Sequence, residues 1–144
     1  MIAVDTNILV YAHRRDSPFY AAASARVAEL AEGNAAWALP WPCVYEFVVT
    51  VTHPRIYVPS TSIESALDQV EAWLQSPSLT LLAEPDSYWP AWRKFLADSR
   101  TIGPRIHDAK IVALCIQHGV RELWSADRDF SRFGGLRVTN PLVA

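Results

Sequence analysis

The chain has 144 residues, 51% of them apolar, which suits one globular domain (1–144) with a sizeable core. Charged residues are 19% of the total, too few for a disordered chain. The net charge is -2, so there is no basic excess for unaided binding of a polyanion, although eleven of the thirteen basic residues are Arg, the side chain that best fits phosphate.

Ile2-Ala3-Val4 is a short apolar run that stops at Asp5-Thr6-Asn7, three residues that cap helices well, and Ile8-Leu9-Val10-Tyr11 follow. This predicts a strand, a sharp turn and a helix. Ser17-Pro18 opens an Ala-rich helix that ends at Gly33. Ala36 to Leu39 reads as a strand, and Pro40 and Pro42 then introduce an apolar helix to about Thr52, stopped by His53-Pro54. Ser62 caps a helix whose apolar residues Ile63, Ala66, Leu67, Val70, Trp73 and Leu74 recur at helical spacing. Leu79 to Leu82 predicts a strand. Asp86 starts a helix with Trp89, Trp92 and Leu96 that fades near Arg100. The Trp89/Trp92 pair is able to stack on bases, but its helical spacing favours core or dimer packing. After Gly103-Pro104 an apolar helix runs from about His107 to Gly119. Leu123-Trp124 is a strand, and Leu136 to Val138 the last one. Strands and helices alternate, which predicts an α/β fold with a parallel sheet.

Cys43 and Cys115 lie inside apolar runs, outside any ligand cluster, and read as reduced core thiols. No apolar run spans a bilayer and no secretory signal pattern opens the chain, so a cytoplasmic protein without a membrane partner is expected.

The chemistry lies in the acids. Ligands of open α/β sheets bind beyond the carboxyl ends of the strands. Asp5 sits there, directly after the first strand, and so does Asp127 after Leu123-Trp124, with Asp129 behind it. Each alone fits a turn or cap. Asp108 lies in the first turn of its helix at the head of the apolar stripe Ile111, Val112 and Cys115, so its carboxylate needs a partner: a metal, a capping bond or an Arg. Glu46 is the one acid of its helix, in line with Thr50 and His53. The three form either a narrow solvent stripe or part of a site. Together these carboxylates make a hard-cation site that suits Mg2+ and phosphate chemistry.

In this order the positions resemble the PIN-domain nucleases, and among them the VapC-type toxins of bacterial toxin–antitoxin pairs. The motifs are Ile2-Ala3-Val4-Asp5-Thr6-Asn7-Ile8-Leu9, Glu46 in Tyr45-Glu46-Phe47, Gly103 through His107-Asp108-Ala109, and Leu123-Trp124-Ser125-Ala126-Asp127-Arg128-Asp129-Phe130 with Asn140-Pro141. The resemblance implies an α/β/α sandwich and an endoribonuclease dependent on Mg2+ or Mn2+. It also implies a homodimer neutralised by a VapB-type antitoxin. In that reading Asp5, Glu46, Asp108 and Asp127 are catalytic. Asp5, Asp108 and Asp127 hold the metal, with Asp129 as an outer ligand. Ser125 stands where many relatives have Thr and keeps the hydroxyl. Thr6, Asn7, Arg105, Ser125 and Arg128 are candidate contacts to RNA or antitoxin, with Arg14, Arg15 and Arg132 as further cations. No histidine is assigned as a base, and His13, His53, His107 and His118 show no zinc spacing. The alternatives are a PIN nuclease of RNA maturation or DNA cleavage, a haloacid-dehalogenase-like phosphatase and a non-catalytic interaction module. The phosphatase wants a second Asp where Asn7 stands, and the intact acids speak against the module.

Overall fold

In the computed structural model, which describes residues 1–143, Ile2–Val4 form strand β1. The chain turns at Asp5 into helix α1 (Thr6–His13), followed by α2 (Tyr20–Glu32), β2 (Trp37–Pro40), α3 (Trp41–Thr52) and α4 (Ile63–Leu74). Then come β3 (Leu79–Leu82), α5 (Tyr88–Ser99), α6 (Arg105–Gln117), β4 (Glu122–Trp124), a 3-10 helix (Arg128–Arg132) and β5 (Arg137–Thr139). The described strands pair in parallel in the order β3-β2-β1-β4-β5, which bears out the α/β expectation. Helix α1 packs on α2 and α3, α3 on α4, and α5 on α6.

The strand order places the site. From β1 the chain steps outward through β2 and β3, then returns to add β4 and β5 on the other side. A crevice opens at such a reversal, beyond the carboxyl ends of the two central strands. Val4 pairs with Trp124, so β1 and β4 end level, and the Asp5 N–H still donates to the Trp124 carbonyl at 2.9 Å. Ala3, Val4 and Leu123 are fully buried beneath this rim, together with Trp37, Leu39, Phe47 and Val112.

Several boundaries differ from the expected ones. Ser17-Pro18 forms a turn, in which the Phe19 N–H donates to Ser17 Oγ at 3.1 Å, and α2 starts only at Tyr20. Gly33 does close α2, where a Cβ would stand 2.8 Å from the Glu29 carbonyl oxygen. Helix α6 begins two residues earlier than expected, because Gly103 adopts a left-handed turn (φ +62°) and Pro104 takes the cap position. Helix α4 forms as its spacing predicts, but buries its apolar stripe unevenly. Ala66 and Trp73 are buried, but Ile63 and Leu67 of the same apolar stripe are about half exposed. Helix α4 packs chiefly on α3, and one neighbour covers only part of the stripe. Trp89 is 61% exposed, which rules out core packing but not the dimer packing that its spacing also allows.

Candidate active site

Asp5 is the most buried acid of the described chain, at 4% exposure. It caps α1, and its side chain is surrounded by donors. Oδ1 accepts from the Thr6 N–H at 2.8 Å and from the Cys43 thiol at 3.6 Å. Oδ2 accepts from Ser125 Oγ at 2.8 Å and from Asn7 Nδ2 at 3.3 Å. Burial nevertheless outweighs these bonds and lifts the carboxyl to about 6.

Ser125 and Asn7 tie the β1 turn to the β4 turn. The Ser125 hydroxyl donates to Asp5 and accepts the Asp127 N–H at 3.0 Å. Asn7 Oδ1 accepts the Ala126 N–H at 3.1 Å, and Asn7 Nδ2 also donates to Ser125 Oγ at 3.3 Å. Asp127 Oδ1 then accepts the Asp129 N–H at 2.8 Å and so caps the 3-10 helix. Ser125, a candidate contact to RNA or antitoxin by the resemblance, is 2% exposed and spends its hydroxyl on the two aspartates.

On the facing side α3 and α6 bring Glu46 and Asp108. Glu46 Oε2 accepts from Thr6 Oγ1 at 3.0 Å, which links α3 to the start of α1. Tyr45 and Val49 are exposed beside it, so the open face of α3 is broader than a stripe of Glu46, Thr50 and His53 alone. Asp108 is half-buried at the head of Ile111, Val112 and Cys115, all buried, as its spacing predicts. Burial raises its carboxyl, and the charges of Asp127, Glu46 and Asp129 raise it further against the pull of Arg105.

Asp5, Glu46, Asp108 and Asp127 thus line one open cleft of about 300 Å3, with Thr6, Thr50 and Tyr57 among its walls. Asp129 is not among its lining residues. Its carboxylate points outward toward Arg105, whose Nη2 is 3.9 Å away. Among the described residues no three His, Cys, Asp or Glu stand close enough to form a ready-made coordination cage. The donor set is oxygen-only and open, which suits a hard cation that keeps several of its waters and poorly suits a thiolate- or imidazole-seeking metal. A carboxylate this buried, facing further carboxylates, calls for a counter-charge, which a hard cation is able to supply.

The PIN-domain model matches residues 2–136. The chain belongs to the PIN-domain family. Within it the chain is similar to VapC ribonucleases. Ribonuclease VapC48 of Mycobacterium tuberculosis is 32% identical over 137 residues, covering 95% of this chain and 94% of that protein. VapC ribonuclease Mb2897 of Mycobacterium bovis is 34% identical over 142 residues, covering 99% and 96%. Two solved structures share the fold: VapBC2 of Rickettsia felis, bound to a promoter DNA fragment (TM-score 0.70, 19% identity, 96% and 98% covered), and M. tuberculosis VapC20, a sarcin-ricin loop cleaving toxin (0.68, 16%, 96% and 98%).

The remaining candidates of this PIN domain fall into distinct places. Arg14 is held by Asp16 at 2.7 Å and lies over the Tyr57 ring, so it is committed internally. Arg15 and Arg128 are exposed. His13 bonds to Gln69 and Thr61, and His118 to the Ala83 carbonyl, away from the acids. Cys43 and Cys115 are free, buried thiols, as expected, and burial pushes Cys115 up to about 12. No helix of the described residues is long and apolar enough to cross a membrane. The Asn7–Ser125 brace escaped sequence reasoning. Its only signal was two small polar residues, one after each strand, within the motifs of the resemblance.

Proposed function

We propose that this PIN domain is a cytoplasmic endoribonuclease dependent on Mg2+ or Mn2+, the toxin of a toxin–antitoxin pair, homodimeric and neutralised by a VapB-type antitoxin. The observation that carries the reading is the buried Asp5 carboxylate, fixed by Ser125 and Thr6 in one cleft with Glu46, Asp108 and Asp127. The VapC ribonucleases that match nearly the whole chain support RNA as the substrate, and the likeness to VapBC complexes supports a VapB-type partner.

Asp5, Asp108 and Asp127 would hold the cation, with Asp129 outside them. When bound, the cation activates water and stabilises charge developing at phosphorus. Glu46 faces the same space and can accept a hydrogen bond from the attacking water, while Thr6 Oγ1 fixes its carboxylate. Ser125 keeps Asp5 and Asp127 in register through one hydroxyl. The reaction adds water across a P–O bond of the RNA backbone, so no covalent enzyme intermediate is required.

The test is incubation of the purified protein with mixed RNA in Mg2+ and in EDTA, beside Asp5→Asn and Asp108→Asn. Cleavage is expected only for the unsubstituted protein in Mg2+. Equal cleavage in EDTA, or by both variants, would refute the proposal. Co-purification with the product of an adjacent small reading frame, with loss of cleavage in the complex, tests the toxin assignment.

A further inference from the structure

A second cavity, about 440 Å3, opens beside the acid cleft between the end of α5, the start of α6 and the 3-10 helix. Its chemistry is the reverse of the cleft's. Arg100, Arg105 and Arg132 line it, with the Ser99 and Thr101 hydroxyls between them and Phe95, Ile102 and Phe133 as an apolar wall. The one acid in the lining, Asp98, is neutralised by Lys94 at 2.5 Å. Arg105 Nη1 is buried with no hydrogen-bond partner, which is costly for a charged donor and asks for an acceptor. Arg105 also joins the two sites, because its Nη2 lies 3.9 Å from Asp129 and it precedes Asp108 by one helical turn.

Arg100 supplies an independent sign. It closes α5 in the left-handed conformation, at φ +53°, where Gly or Asn is normally found. Arg is strained there, and strain of this kind collects at functional positions. A Gly would close the helix without strain but would leave the cavity without that guanidinium.

The geometry points to this cavity as a subsite for a nucleotide of the RNA strand next to the scissile phosphate: its phosphate between Arg100, Arg105 and Arg132, its sugar and base against Ile102 and Phe95. The inference rests on the ribonuclease reading above and adds where the strand is held. It also resolves a difficulty of charge. A chain of net charge -2 with a cleft of carboxylates repels a polyanion, and guanidiniums are the side chains that grip phosphate in two-point contacts. An acidic peptide would also meet the arginines, but arginines beside the Phe95 ring, next to a cleft suited to phosphate chemistry, match a phosphate with its base, so RNA is the favoured occupant.

The experiment measures binding of a short 5′-labelled oligouridylate by fluorescence anisotropy in EDTA, across a salt series. The proteins are the unsubstituted chain, the double variant Arg100→Gln/Arg132→Gln, Arg100→Gly, and Arg121→Gln as an exposed cation outside the cavity. Loss of two of the three guanidiniums around one phosphate is expected to weaken binding about tenfold and to lower the slope of log K against log salt by about 0.7. KM for RNA should rise with kcat held within about twofold. Arg100→Gly should melt higher yet bind RNA more weakly, which a merely structural Arg100 would not do. Unchanged affinity and slope in a folded double variant overturns the inference. So does an equal loss in Arg121→Gln, which would mean diffuse attraction. Loss of affinity for an acidic peptide alone, with RNA binding intact, reassigns the cavity to a protein partner. Failure of the ribonuclease reading shows separately, as no cleavage by the unsubstituted chain in Mg2+.

Discussion

At the scale of single residues, Asp5 is held in a site that works against its own ionisation. Its carboxyl sits at about 6 in the folded chain, against an ordinary value of 3.8. The folded state therefore keeps a proton that the unfolded state has released between those two values. Stability of the metal-free protein falls as pH rises through that window, and the loss is complete above pH 6. A shift of this size corresponds to about 3 kcal/mol. Asp5→Asn removes the titration, so the melting temperature of the metal-free variant should lose less than the unsubstituted chain between pH 4 and pH 7. Parallel pH profiles for the two proteins would contradict this account. Ser125 allows a second test. Ser125→Ala leaves Asp5 Oδ2 and the Asp127 N–H without their shared partner, at a cost of about 1–3 kcal/mol. Cleavage should drop about tenfold or more, and Ser125→Thr, which keeps the hydroxyl, should restore most of it. Equal activity of the Ala and Thr variants would mean that the hydroxyl does not position the acids.

At the scale of elements, α3 shows how the core positions Glu46. Phe47, the next residue, is fully buried and meets the His13 ring edge-on at 5.3 Å and the Trp73 ring at 4.8 Å. Phe47→Ala should cost about 3–5 kcal/mol in chemical denaturation, whereas Val49→Ala on the exposed face of the same helix should stay within about 0.5. A small loss for Phe47→Ala would show that α3 is not anchored through that ring. The elements were legible in the sequence wherever pattern and punctuation agreed. The run Ile2-Ala3-Val4 before Asp5, and Asp108 at the head of Ile111, Val112 and Cys115, were placed correctly because local spacing decides which face a residue takes. Which part of a stripe gets covered depends on neighbours that the stripe does not name, and so Ile63 and Leu67 of α4 lie half exposed although they share the apolar spacing of the buried Ala66 and Trp73. The brace from Asn7 to Ser125 spans 118 residues, and the arginine cavity gathers ends of α5, α6 and the 3-10 helix. Both are products of strand order and leave no local periodicity.

At the scale of the whole molecule, the sheet order turns dispersed acids into one electrostatic feature. Asp5 and Asp127 follow the strands on either side of the reversal, and α3 and α6 bring Glu46 and Asp108 to the same opening. The folded chain accepts their mutual repulsion, and the unfolded chain, with the acids far apart, is spared it. A cation that binds only the folded arrangement must therefore stabilise the whole domain. At a cation concentration 100 times the dissociation constant the gain is about 2.7 kcal/mol. For a domain of this size that raises the melting temperature by about 5–10 °C. Thermal melts in Mg2+ should rise with concentration, return to the starting value on adding EDTA, and show no such rise with NaCl at matched ionic strength. The rise should shrink strongly in Asp108→Asn. It should persist in Arg100→Gln/Arg132→Gln, whose changed residues line the other cavity. An equal rise with NaCl would reduce the effect to screening of surface charge. A full rise in Asp108→Asn would place the stabilising cation somewhere other than the cleft between β1 and β4.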